Sequence, residues 1–387
     1  MSSVNINGYF KNNAIDAISK TLIFIQMILG VNRLRVFDKV KSVYSITMFI
    51  YCVSLSAIYI YLILKEKPVL YISHIVTVNV TSYIINNILA FIFCKKYREF
   101  FDELNSFDTK VGLKFNICTS MILNVVACCL IIAIDCIVSL LLYMKLYTTK
   151  IPIYINAKNI IFVSELFGYG HIMMLLRQRL QYIKKTAISC LDGYISNSRR
   201  GNENQREYEN TTELDMRKLV LLYDCIIKAY DILNAAIKYQ FVFMLLESFF
   251  VNIFFWNLLA IDVISQKFNW WKRGVQTIVI VVATLIPFFS PCYFANQIKD
   301  EVSIMRDNIR SNIHKLVEIS SIFDFFFTDK SKRKTVKILL SLTDIRTLSF
   351  SLFRMISVDI LLPFKMLGYI ATYLIVIMQF EKITGSN

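Results

Sequence analysis

Seven apolar stretches, each long enough to cross a bilayer as a helix, govern what this chain can become. They lie at 42–64, 69–94, 115–144, 151–176, 239–264, 274–298 and 355–380. A crossing helix needs about 20 apolar residues, because each residue advances about 1.5 Å through a hydrocarbon layer about 30 Å thick. The first, second and sixth stretches contain no Asp, Glu, Lys or Arg. A barrel strand is shorter and alternates, so these runs read as helices. Composition agrees. The chain is 56% hydrophobic and 18% charged, against about 45–50% and about 25% in globular proteins. A soluble core of 387 residues cannot hide that excess. The expected fold is all-α and polytopic, with seven transmembrane helices.

Basic residues set the expected orientation. Arg33, Arg35, Lys39 and Lys41 precede the first span, against Lys65 and Lys67 after it. Arg177, Arg179, Lys184 and Lys185 follow the fourth. Positive residues flank spans on the cytoplasmic side. The N-terminal segment 1–41 is therefore expected inside, and it lacks the charged, apolar and small-residue pattern of a signal peptide. Spans one to four occupy 42–176, a cytoplasmic region 177–238, spans five and six 239–298, cytoplasmic helices 299–354, the last span 355–380, and a short outer tail 381–387. A net charge of +15 then belongs to the cytoplasmic face, and no nucleic-acid partner is expected. A G-protein-coupled receptor would have its N-terminus outside, an Asp-Arg-Tyr run and an Asn-Pro-x-x-Tyr run. This chain lacks those runs. The nine cysteines fall in spans or cytoplasmic segments and are expected to stay as thiols.

The spans overshoot on the cytoplasmic side. Residues 196–213 are polar and read as a flexible connection. From Asp215, residues Leu219, Leu222, Ile226, Leu233 and Ile237 recur on one helical face. Val302, Met305, Ile309, Ile313 and Leu316 do the same beyond the sixth span. Such helices need partners below the membrane. A cytoplasmic bundle that docks subunits is favoured over an amphipathic surface on anionic lipid. The basic turn Lys330, Lys332, Arg333, Lys334 and Lys337 reads as solvated or lipid-facing.

Catalysis finds no support. Only three histidines occur, and none of the phosphate-loop, nucleophile-elbow, zincin or Cys-x-x-Cys patterns is present. Gly168-Tyr-Gly170 is a fragment inside a span. No metal or cofactor is expected.

Ionisable groups in spans are costly and mark either helix–helix clamps or ligand sites. Here they are Asp135, Lys158, Glu165, Glu247, Asp262, Asp359 and Lys365. Polar and aromatic groups also crowd the outer halves of several spans. His74, Thr77 and Asn79 lie on the second; Tyr154, Asn156 and Asn159 begin the fourth. Asn252, Trp256 and Asn257 sit in the fifth, and Gln276 opens the sixth. Trp270 and Trp271 read as an interfacial belt. If the others converge, they give an organic-ligand pocket of aromatic walls and a few hydrogen-bonding groups. Asp135 and Glu247 belong with that candidate set. Pro287 and Pro291 are expected to bend the sixth helix.

The last span ends Thr372-Tyr373-Leu374-Ile375-Val376-Ile377-Met378-Gln379-Phe380, with seven residues after it. This resembles the C-terminal signature of insect gustatory receptors: Thr-Tyr, five apolar residues, Gln-Phe and a short tail. The resemblance covers the whole chain through span number, orientation and length. It implies a ligand-gated, non-selective cation channel of four subunits in the plasma membrane of a gustatory neuron, alone or with other gustatory receptors. It also implies a central pore lined by each final helix, a tastant pocket in each outer half, and a cytoplasmic anchor making most subunit contacts. The sugar-receptor branch often has Glu after Thr-Tyr. Leu374 stands there, which favours a bitter plant compound over a fructose-type ligand. Arg354-Met355-Ile356 replaces the usual Gly-x-Phe upstream of the last helix. A transporter or metabotropic seven-helix protein is the rival reading, but no matched broken helices or internal repeat support a transporter.

The signature also reads physically. Tyr373, Val376, Gln379 and Phe380 share a face at three- and four-residue spacing. Four copies around an axis would form an apolar constriction that closes by excluding water. Ordinary helix packing is the competing reading.

Overall fold

The computed structural model describes residues 42–65, 70–112, 119–146, 151–198, 205–264, 274–318, 348–353 and 355–384, together with Ile23, Phe24, Gln26, Met27, Ile338, Leu340, Ser341, Thr343 and Asp344. Seven long helices carry the described chain. They are α1 (Ser42–Lys65), α2 (Leu70–Val111), α3 (Thr119–Leu146), α4 (Ile151–Ser198), α5 (Gln205–Ile264), α6 (Val275–Glu318) and α7 (Leu362–Thr384). Between α6 and α7 a small antiparallel pair forms, β1 (Ser351–Leu352) against β2 (Ile356–Ser357). By length and composition four helices could cross a membrane: Asn159–Asp192, Arg217–Ile261, Thr277–Asn312 and Leu362–Gln379. Shorter apolar helices lie at Ile46–Leu55 and Ile122–Ile137.

Each overshoot is continuous helix. α2 runs past its apolar part and stops where Gly112 takes φ +72°. There the Gly112 amide donates to the Asp108 carbonyl at 2.9 Å, a left-handed cap that a residue with a Cβ adopts less readily. α5 begins at Gln205, ten positions before the expected restart at Asp215. Its first turns are rich in Glu, Gln and Arg and hold no Gly or Pro, so their propensity is helical. Pro287 and Pro291 lie inside α6, which runs through them as one helix.

The last span departs from expectation at its start. Residues 355–361 are not helix; they complete the β1–β2 pair and lead into α7 through a bend at Asp359 and a turn at Ile360–Leu361. α7 starts at Leu362 with Pro363 next to it, a position where the missing amide proton costs nothing. Asp359 precedes it. Its Oδ1 accepts the Leu361 amide at 3.1 Å, its Oδ2 accepts the Ser357 hydroxyl at 2.6 Å, and Lys365 stands 3.7 Å away. This carboxylate sits at the helix N-terminus, where its bonds to the Leu361 amide and Ser357 hydroxyl give it a local capping role.

α4 is the hub. Residues 161–176 are all buried, as expected only of a helix surrounded by other helices. It packs along α6, while α2 packs along α5. The core is concentrated at the charged end of the bundle, around Phe100, Phe101, Leu104 and Phe107 of α2, Leu176 and Leu180 of α4, Leu222, Ile226 and Leu233 of α5, and Ile298, Met305 and Ile309 of α6. This corrects one expectation. The faces carrying Leu219, Leu222, Ile226, Leu233 and Ile237, and Val302, Met305 and Ile309, are buried within a single chain, so these side chains are not subunit contacts. α3 buries Asn124, Cys128, Ile131 and Asp135 on one face and exposes Leu123, Val126, Leu130, Ile134 and Ile137 on the other. Among the described residues, eight cysteines are all free thiols.

Candidate functional site

Two groups of residues compete for function. The first is the outward side of α7. Leu362, Met366 and Ile370 recur every four residues and are buried. Phe364 meets Phe289 of α6 edge-on at 5.2 Å. Pro363 is buried with them, Leu374 and Ile377 are half-buried, and the other described side chains of the helix are exposed. Tyr373 is 43% exposed and Val376 41%, and Gln379 is exposed with them. Three of the four residues that share the expected pore face are thus exposed, together with Thr372, Ile375 and Met378, while Leu374 and Ile377 are half-buried. The side chain of Phe380 lies outside the described residues.

The second group is the polar set within the bundle. Asp135 of α3 is buried, and its carboxylate accepts a hydrogen bond from Asn159 of α4. Glu247 of α5 is buried and accepts the Ser82 hydroxyl of α2. Asn252 of α5 is fully buried. Its amide donates to Thr284 Oγ1 of α6 and to the Ser248 carbonyl, both at 2.7 Å. Trp256 is half-buried one turn further on, and Thr77 of α2 is exposed. The structure therefore joins Asp135 with Asn159, and ties Glu247 and Asn252 to partners the sequence did not single out. Each link clamps two helices. The Oδ1 atoms of Asn252 and Asn86 are buried without a hydrogen-bond partner. His74, Asn79, Tyr154, Asn156 and Gln276 lie on α2, α4 and α6 as expected, but their side chains are outside the described residues.

Sequence reasoning missed three polar knots. In one, Asn124 donates to the Phe167 carbonyl at 3.1 Å and accepts the Ser290 hydroxyl at 2.6 Å, joining α3, α4 and α6. Gly170 permits this. A Cβ there would run into the Ser290 hydroxyl and come within 3.1 Å of its Cβ. In the second, Gln240 accepts Tyr169 at 3.0 Å and Tyr97 at 3.5 Å, and donates to the Asn86 carbonyl at 3.4 Å. The third lies at the charged end. Arg179, only 2% exposed, forms a bidentate pair with Asp108 at 2.9 and 2.6 Å. Beside it Glu301 of α6 gathers Arg177, Gln181 and Lys184 of α4. Burial pushes the Glu301 carboxyl up, but the Gln181 and Lys184 hydrogen bonds and the Lys184 and Arg177 charges outweigh it and hold it below 4.5. The available signal was spacing: Arg177, Gln181 and Lys184 share a face of α4.

Among the described residues, no group of three or more His, Cys, Asp or Glu is placed to hold a metal ion. The arrangement offers a rigid, clamped bundle carrying one lightly held apolar helix. A family model described as 7tm chemosensory receptor matches residues 20–384. Among solved structures, the chain is similar to the insect olfactory receptor OR5 from Machilis hrabei in complex with eugenol. Identity is 14% and the TM-score 0.59, over 94% of this chain and 97% of that one. A second structure of OR5 from Machilis hrabei gives 12% identity and a TM-score of 0.52, over 93% and 97%. No curated protein matches. The family match spans the clamped helices and the C-terminal signature alike, and the chain, a membrane receptor and no enzyme, belongs to the 7tm chemosensory receptor family of insect odorant and gustatory type.

Proposed function

We propose that the protein is a gustatory receptor acting as a ligand-gated, non-selective cation channel in the plasma membrane. Four copies surround an axis faced by α7, with the N-terminus cytoplasmic and seven helices crossing the membrane. The observation that carries this reading is the outward side of α7. Tyr373, Val376 and Gln379 are uncovered by the chain that bears them, in the half of α7 that follows its buried contacts at Leu362, Met366 and Ile370. An apolar side so exposed fits a shared constriction that closes by excluding water. The ligand is a small organic compound taken in the outer half of the bundle, near Asp135, Asn159, Asn252 and Trp256, where buried Asn252 Oδ1 still offers an acceptor. The OR5 structure holding eugenol supports that ligand class. Leu374 after Thr372-Tyr373 favours a bitter plant compound over a sugar.

The test is conductance in cells expressing only this chain, screened with plant alkaloids, small aromatics and sugars. Ligand-evoked cation current supports the reading. A well-expressed surface protein that never conducts across the screen, or an N-terminal tag labelled on intact cells, removes it.

A further inference from the structure

The segment that leads into α7 is built unlike the other described residues, which are nearly all helix. Leu348, Phe350 and Leu352 are buried at alternate positions, the period of a strand. Ser351 pairs with Ser357 and Leu352 with Ile356. The turn between them is closed by the Met355 amide donating to the Leu352 carbonyl at 3.0 Å, and the Val358 amide donates to the Phe350 carbonyl at 2.9 Å. Inside that turn Phe353 takes φ +52°, the one positive φ at a non-glycine among the described residues. A side chain there crowds its own carbonyl. Such a conformation persists only where the surroundings over-determine it.

The surroundings are a ring stack capped by a cation. Phe353 meets Tyr239 of α5 edge-on at 5.3 Å, and Tyr239 stacks on Phe93 of α2 at 5.4 Å with an interplanar angle of 8°. The Lys238 ammonium lies 4.8 Å from the Tyr239 ring and 5.8 Å from the Phe353 ring. A cation over the face of a ring is attracted by its quadrupole. A second ring contact, Tyr230 to Phe350 at 4.6 Å, ties the same segment to α5. Beyond it α7 is held by a narrow stripe, and a weakly packed element takes its position from its root.

We propose that Lys238, Tyr239 and Phe353 form a latch that keeps the 352–355 turn in its strained shape and so sets where α7 begins. They are positioning residues for the pore helix, and this role rests on the reading of α7 as that helix. Lys238→Met keeps the length of the side chain and removes the charge. Lys238→Arg keeps a cation that stacks on rings.

Two measurements separate the latch from the pore reading. Hydrogen–deuterium exchange on the purified full chain reads the latch directly. Lys238→Met is expected to speed exchange across 351–362 about three- to tenfold, the factor that losing its two partly exposed cation–π contacts allows. Lys238→Arg leaves it unchanged, and α2 and α5 exchange as before. Phe353→Leu provides the second variant, with the same local effect. Unchanged exchange in both Lys238→Met and Phe353→Leu overturns the latch whatever α7 does. So does faster exchange throughout the bundle, which would make these residues ordinary packing. Oxidative cross-linking of Val376→Cys between copies in native membranes reads the shared axis. Cross-linking whose rate shifts with Lys238→Met supports the latch acting on the pore. Cross-linking with an unshifted rate overturns that action. No cross-link in any background, beside a localised exchange effect, removes the shared-axis reading and leaves the latch as the anchor of α7.

Discussion

α4 and α7 are both apolar helices of membrane-crossing length, yet they are held in opposite ways. α4 is enclosed over 161–176 and fastened by Asn124, Ser290, Asp108 and Glu301 from three neighbours. α7 touches its own chain through Leu362, Met366 and Ile370 and leaves most of its surface uncovered. Hydropathy does not distinguish them; their apolar stretches are equally apolar. The difference teaches where each helix spends its surface. α4 spends it on making one rigid bundle. α7 leaves it uncovered within the chain, which is what the proposed gate role requires.

Substitutions that break the contrast should rank by how tightly the residue is enclosed. Arg179→Met is expected to act most strongly. It leaves Asp108 buried without its cation, and breaking a buried pair costs about 3–5 kcal/mol. Thermal unfolding of the detergent-solubilised chain measures this, and a variant as stable as the native chain would deny α4 its role as hub. Gly170→Ala comes next. Its Cβ meets Ser290, and overpacking a core costs about 1–3 kcal/mol. Adding Ser290→Ala removes the hydroxyl that the new methyl meets and should restore part of the loss. A double variant no better than the single would mean the clash is with backbone.

A smaller effect is expected from acid. Glu301 is held below its ordinary 4.5 in the folded chain. The stability it contributes is therefore present above pH 4.5 and is lost as pH falls through the lowered value. Glu301→Gln should lower stability at neutral pH and flatten the decline below pH 4.5. A native chain whose melting temperature falls equally steeply in the variant would assign the acid sensitivity elsewhere.

Least effect on folding is expected from Val376→Ala, within about 0.5 kcal/mol, the usual range for exposed positions. Its effect belongs to conduction. Narrower side chains around a shared axis should raise resting current at constant surface level, with Phe380→Ala stronger and Gln379→Ala altering permeation. A large loss of folded protein from Val376→Ala with no leak would instead make this side a packing face and erase the contrast with α4.

Local pattern carried much of this architecture. The apolar runs place every helix from α1 to α6 within a few residues at their membrane ends, because the length of chain that crosses hydrocarbon is a local property. The helical period at Leu219, Leu222, Ile226, Leu233 and Ile237 showed that a buried face exists. It did not show what covers it, and the cover turned out to be the chain's own α2, α4 and α6 rather than another subunit. The site was legible unevenly. Tyr373, Val376 and Gln379 are exposed, but so are Thr372, Ile375 and Met378 between them, so a single chain does not single out the face that their spacing suggests. Asn252 and Glu247 instead hold neighbours such as Thr284 and Ser82, which sequence distance conceals.

What the sequence alone determined, then, is an all-α chain of long apolar helices, the stretches in which they lie, and a C-terminal run that resembles the family signature. Each depends on residues close together in the chain. Tertiary structure decided which faces close on one another, because contact between positions such as Gly170 and Ser290, or Asp108 and Arg179, depends on how distant helices pack. It also decided the fate of 351–357. That stretch stands at the start of an apolar run that reads as helix, yet it is a strained hairpin. The rings of Phe350 and Phe353 find Tyr230 and Tyr239 only when α5 lies beside them.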